Sequence, residues 1–169
     1  MKLTDSRTMR VLVAAAAATL LAAQDARAAG DDPVPEPQPT GSPSLASTAP
    51  RLTNEGLALA NAGNWAGAEE KYRAAIRADR KIPEAWNGLG HALKKQARYD
   101  AALAAYDEAL RLRPSYPQAL EYLGETYVEL GRLDDARAVL AKLQPLDAQL
   151  ASRLAQSIET ETSQTAASW

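Results

Sequence analysis

Glu84 to Pro114 reads EAWNGLGHALKKQARYDAALAAYDEALRLRP. Within it, Trp86, Leu89, Gly90 and Leu93 are followed in order by Ala102, Tyr106, Ala109 and Pro114. Pro83 opens a helix through about Gln96, because a missing backbone N–H costs little in a first helical turn. Tyr99 to about Leu112 forms a second helix, and Pro114 ends it because proline cannot continue the ladder.

The same chemistry recurs about 34 residues to either side. Gly56, Gly90 and Gly124 fall in one column, and Ala68, Ala102 and Ala136 in another. Tyr72, Tyr106 and Leu140 form a third, followed by Ala75, Ala109 and Leu143. Leu52, Trp86 and Leu120 are again in register. Small residues at the Gly and Ala columns let paired helices approach, and the large ones fill the space between pairs.

The order resembles the tetratricopeptide repeat signature, W-x-x-L-G-x-x-Y, then A-x-x-x-F, then P. Leu93 stands where tyrosine is usual and Tyr106 where phenylalanine is usual, and both keep a large apolar body. The resemblance implies an all-α fold, a short solenoid of three helical hairpins plus a C-terminal capping helix. The repeats are placed at 49–82, 83–116 and 117–144. It also implies a protein–protein interaction scaffold or adaptor that takes a partner peptide on its concave face.

In the first repeat, Arg51 to Ala62 is the expected first helix, with Pro50 in its first turn. Gly63 supplies a left-handed stop, and Asn64 caps the next helix, which carries Trp65, Ala68, Tyr72, Ala75 and Ile76 on one face. Arg80 replaces the terminal proline of the pattern. Ala97 occupies the place of Gly63 and Gly131, so a left-handed backbone there would strain it by about 1 kcal/mol. Asp134 and Asp135 favour the start of the sixth helix through its dipole. Beyond Pro145, Leu146, Leu150, Leu154 and Ile158 recur with a polar back, the pattern of a cap over 145–159. Residues 160–169 are expected to fray, Trp169 included.

The N-terminal part reads differently. Lys2, Arg7 and Arg10 precede an apolar run, Val11–Ala23, of roughly 13 residues, which suits a secretory signal better than a membrane span. Ala26-Arg27-Ala28 offers a cleavage site, so 1–28 is read as a signal peptide, with an uncleaved anchor as the alternative. Pro33, Pro35, Pro37, Pro39 and Pro43 make 29–48 an extended tether. With Gly/Ala/Pro-rich flanks, this suggests an exported bacterial protein in the periplasm or outside the cell.

Composition excludes several functions. The chain lacks cysteine, so disulfides, thiolate metal sites and thiol nucleophiles are ruled out. Its formal charge is −2, without the basic footprint of nucleic-acid binding. One histidine, His91, carries no ligand spacing such as His-x-x-x-His, so neither metal, cofactor nor catalytic residues are expected.

Mapping repeat groove positions gives Thr53, Leu57, Ala60 and Asn61, then Asn87, His91, Lys94 and Lys95, then Glu121, Glu125, Val128 and Glu129. Asn87, His91, Lys94, Lys95, Glu121 and Glu125 are the expected partner-binding set, polar and basic in the middle and acidic at one end. Thr53, Leu57, Glu121 and Glu125 depart from the Lys/Asn pattern with which some family members clamp a C-terminal carboxylate. An alternative role is self-association through the first helix, if Leu52, Leu57 and Leu59 are left bare.

Overall fold

The computed structural model describes residues 45–167. The expected signal peptide, most of the tether and Trp169 lie outside them. Among the described residues there are seven helices and no strand: α1 (Leu45–Asn61), α2 (Trp65–Ala78), α3 (Pro83–Lys95), α4 (Tyr99–Leu112), α5 (Pro117–Glu129), α6 (Leu133–Leu143) and α7 (Ala148–Ala167). They pair as α1/α2, α3/α4 and α5/α6, with α7 packed on α5 and α6. Helix α1 touches α3, and α3 touches α5, so the three share one face of the stack. None of the described helices is long and apolar enough to cross a membrane.

The small-residue columns do what close packing requires. Ala68, Ala102 and Ala136 have no exposed surface, nor do Ala75, Ala109 and Leu143. A Cβ placed on Gly90 would stand 2.5 Å from the ring of Tyr106, itself wholly buried. Only a residue without a side chain lets α3 approach α4 this closely.

The turns within the hairpins share one design. Gly63, Ala97 and Gly131 all have positive φ, at 76°, 57° and 69°. In each, the next residue's N–H reaches back to a carbonyl near the helix end: Asn64 to Leu59 (2.9 Å), Arg98 to Leu93 (3.0 Å) and Arg132 to Tyr127 (2.8 Å). This is the left-handed helix stop, built twice on glycine and once on alanine. Asn64 then caps α2 by accepting from the Gly67 N–H at 2.9 Å.

Two boundaries differ from the sequence expectation. Helix α1 begins at Leu45, inside the stretch read as tether, and Pro50 lies within it. Leu45, Ala46 and Ala49 are good helix formers, and Ala49 is fully buried, so packing offsets the bond that Pro50 cannot donate. Helix α7 starts later and runs further than 145–159. Asp147 accepts from the N–H groups of Gln149 and Leu150, both at 3.0 Å, which makes it the cap and leaves Leu146 outside, 42% exposed. The segment expected to fray is helical to Ala167. No glycine or proline interrupts it, and Thr160, Ser163 and Thr165 donate to carbonyls one turn back.

Helix α7 also keeps the repeat register. Leu154 stands one period after Leu120 and fills the space over Gly124, whose added Cβ would lie 2.4 Å from it. Ile158 occupies the next glycine position in the series Gly56, Gly90, Gly124 and is buried.

Candidate functional site

A cavity of about 290 Å³ opens on the face shared by α1, α3 and α5. Helix α1 contributes Thr53, Asn54, Leu57, Ala60 and Asn61 to its wall. Helix α3 contributes Glu84, Asn87, Gly88 and His91, while Trp65, Tyr72, Tyr116 and Tyr122 supply aromatic surface. Gly88 must be small, because a Cβ on it would sit 2.3 Å from the Tyr72 ring that closes the floor.

The rings form a connected wall. The His91 ring meets Trp65 edge-on with centroids 5.3 Å apart and stacks on Tyr122 at 4.6 Å. Tyr122 in turn tilts against Tyr106 at 6.2 Å. Burial pushes His91 below the usual imidazole range, Lys95 and Lys94 add to the effect, and Glu125 opposes it. His91 is therefore a neutral ring at neutral pH. Burial likewise raises the Tyr116 and Tyr122 phenols, and Tyr72 is pushed up to about 12, so all three stay protonated.

Of the six residues expected to bind a partner, Asn87 and His91 line the cavity. Asn87 is 8% exposed, and its Oδ1 has no hydrogen-bond partner among the described residues. Such orphan buried acceptors are uncommon in folded proteins.

The other four lie elsewhere, and the expected open basic middle is absent. The Lys94 side chain is only 5% exposed and pairs with Glu125 at 2.8 Å and Glu129 at 3.1 Å. Burial alone would lower the Lys94 pKa, but the bonds and charges of Glu125 and Glu129 carry it above the usual lysine range. This pair ties α3 to α5 across the hairpin boundary. Glu121 is buried and pairs with Arg153 of α7 at 2.8 Å. Burial raises the Glu121 carboxyl, and Arg153 opposes the rise. Lys95 is exposed, with its ammonium 6.0 Å from the Trp65 ring centroid. A helix face selected by the family's groove positions thus divides into residues that bind neighbouring helices and residues that meet solvent.

Sequence reasoning missed Asn54, Glu84, Gly88, Tyr116 and Tyr122, and treated Trp65 as core. The signal was one column away. Asn54, Gly88 and Tyr122 are one period apart and follow directly after Thr53, Asn87 and Glu121. A concave helix face is wide enough to hold both columns. Among the three leucines considered for self-association, Leu52 and Leu59 pack partly buried against the core. Only Leu57 is exposed, at 52%, and it belongs to the cavity wall.

Comparison with known proteins agrees with this architecture. A tetratricopeptide repeat profile matches residues 53–96 and 87–151, more than half of the chain. Superkiller protein 3 of Saccharomyces cerevisiae is 30% identical over 74 residues, which cover 44% of this chain and 5% of that protein. The chain therefore spans about a twentieth of that relative's length. Among solved structures, the second TPR domain of human RPAP3, in complex with the HSP70 peptide SGPTIEEVD, superposes with a TM-score of 0.64 at 22% identity, covering 68% of this chain and 98% of that one. The Yersinia enterocolitica type III secretion chaperone SycD, in complex with a peptide of the translocator YopD, gives 0.62 at 20% identity, covering 69% of this chain and 93% of that one. With its repeat register, its glycine-mediated helix contacts and this profile match, the chain belongs to the tetratricopeptide repeat family.

Proposed function

We propose that the protein is an interaction module that holds a segment of a partner protein along the face formed by α1, α3 and α5. The observation that carries this is the preformed cavity itself. It is walled by aromatic rings, by amide and hydroxyl groups and by the Glu84 carboxylate, and the buried Asn87 Oδ1 has no hydrogen-bond partner among the described residues. Concave sites with much apolar surface and a few convergent polar groups are the usual form of binding sites. The RPAP3 and SycD complexes support the reading, since in both a similar repeat domain is seen with a peptide.

Site-directed photo-crosslinking tests the proposal. A photoreactive residue replacing Leu57 should give adducts with a partner polypeptide in the native cell, identified by mass spectrometry. The same residue replacing Ala104, exposed on α4, should not. Equal adducts at both positions would reject the groove. Adducts of the chain with itself would favour self-association instead.

We also propose export to the periplasm or beyond, from the basic start, apolar run and Ala26-Arg27-Ala28 of the N-terminal segment. N-terminal sequencing of protein recovered from the envelope fraction should begin at Ala29. An intact Met1 there would indicate an uncleaved anchor.

A further inference from the structure

We infer that the groove takes an extended, uncharged stretch of polypeptide from within its partner's chain, anchored by an apolar side chain against the His91–Tyr122 stack, and that it discriminates against acidic C-termini. The inference rests on the groove reading above and adds the chemistry of the occupant.

Charge complementarity is the first argument. The cations near the cavity are already answered: Lys94 by Glu125 and Glu129, and Arg113 by Glu84. Among the described residues Lys95 remains, an exposed ammonium beside the Trp65 ring of the wall, and an ion pair made there is worth roughly 0–1 kcal/mol. A carboxylate arriving from solvent would also meet Glu125 and Glu129, whose side chains are partly exposed. A basic ligand would meet the Lys95 ammonium near the same ring wall, and the carboxylate that lines the cavity, Glu84, is already paired with Arg113.

The wall supplies the second argument. Asn54, Asn61 and Asn87 carry amides that both donate and accept, which is what the unpaired N–H and C=O groups of an extended backbone require. Asn87 Oδ1 is buried with no hydrogen-bond partner among the described residues, and a peptide N–H brought to it would satisfy it. The third argument is apolar. Leu57 stands half exposed beside the ring wall, so an aliphatic or aromatic side chain laid there would remove both surfaces from water.

A displayed library of random decapeptides tests this on the full chain, in two formats: closed within a carrier, and ending in a free carboxylate. Enriched sequences should carry an apolar residue and few acids, and should be recovered equally in both formats. A labelled enriched peptide should bind with less than about a twofold change in Kd from about 50 to about 500 mM salt, because screening acts on charges. An acidic consensus, a need for the free carboxylate, or a tenfold loss with salt would overturn this inference and leave the groove reading standing. No enrichment, or enrichment unchanged by Leu57→Glu, would overturn both. Leu57 is exposed, so that variant keeps its fold, which circular dichroism checks directly.

Discussion

Replacing Ala97 with glycine should stabilise the protein. Residue 97 has φ 57°, in the region where an L side chain crowds its own backbone. That conformation costs a non-glycine residue about 1–2 kcal/mol. Glycine removes this cost, but its extra freedom in the unfolded chain takes back about 0.5–1 kcal/mol. Ala97 is exposed, so losing its methyl group sacrifices no buried contact. The net gain should be about 0.5–1 kcal/mol, and Tm should rise by about 2–5 °C for a domain of this size. The protein carries its own controls at the equivalent turns. A Cβ on Gly63 or Gly131 would meet no heavy atom within 4 Å, so Gly63→Ala and Gly131→Ala test backbone conformation alone. Each should destabilise by about 0.5–1 kcal/mol, the mirror image of the change at 97. Urea unfolding with a common slope reads all three. If Ala97→Gly destabilises, or all three changes share one sign, the account of the turns is wrong.

Two further outcomes follow from packing and titration. Gly90→Ala should cost about 2–3 kcal/mol, because its Cβ would lie 2.5 Å from a wholly buried Tyr106 ring. A loss as small as that of Gly63→Ala, read in the same unfolding assay, would mean that α3 and α4 can separate freely. Acidification should destabilise the wild type more than His91→Phe. The folded His91 pKa lies below the ordinary imidazole value of 6.5, so the unfolded chain binds the proton first. This contribution is present above 6.5 and is lost as pH falls towards the depressed folded value. Protonation would also place a cation among Lys94 and Lys95, with Tyr122 and Trp65 on the ring faces and Glu125 as the one facing acid. The stability difference between His91→Phe and wild type, measured from about pH 7.5 to about pH 5.5, should widen in favour of the variant; a flat difference would place His91 in water.

The repeat architecture was legible because packing imposes it residue by residue. Gly90 has to be small beneath Tyr106, and Ala102 has to be small between helices, so their spacing records the fold directly. The three left-handed stops were legible too, Ala97 included, since turn position follows from the same period. Helix ends were less so: α1 reaches back to Leu45 and α7 forward to Ala167, where local propensity and side-chain hydroxyls decide and no repeat column marks a limit.

The candidate site divides along the same line. The resemblance to the repeat family put Asn87, His91, Lys94, Lys95, Glu121 and Glu125 on one concave surface, because the repeat register carries the family's groove positions onto this chain. Which of those side chains stay open to a ligand was decided only by neighbours brought together from distant parts of the chain. Glu125 and Glu129 take Lys94 out of play, Arg153 takes Glu121, and Trp65 and Tyr122 enclose His91. A charge is free or spent according to what lies within a few ångströms of it, and that distance exists only after the helices have stacked.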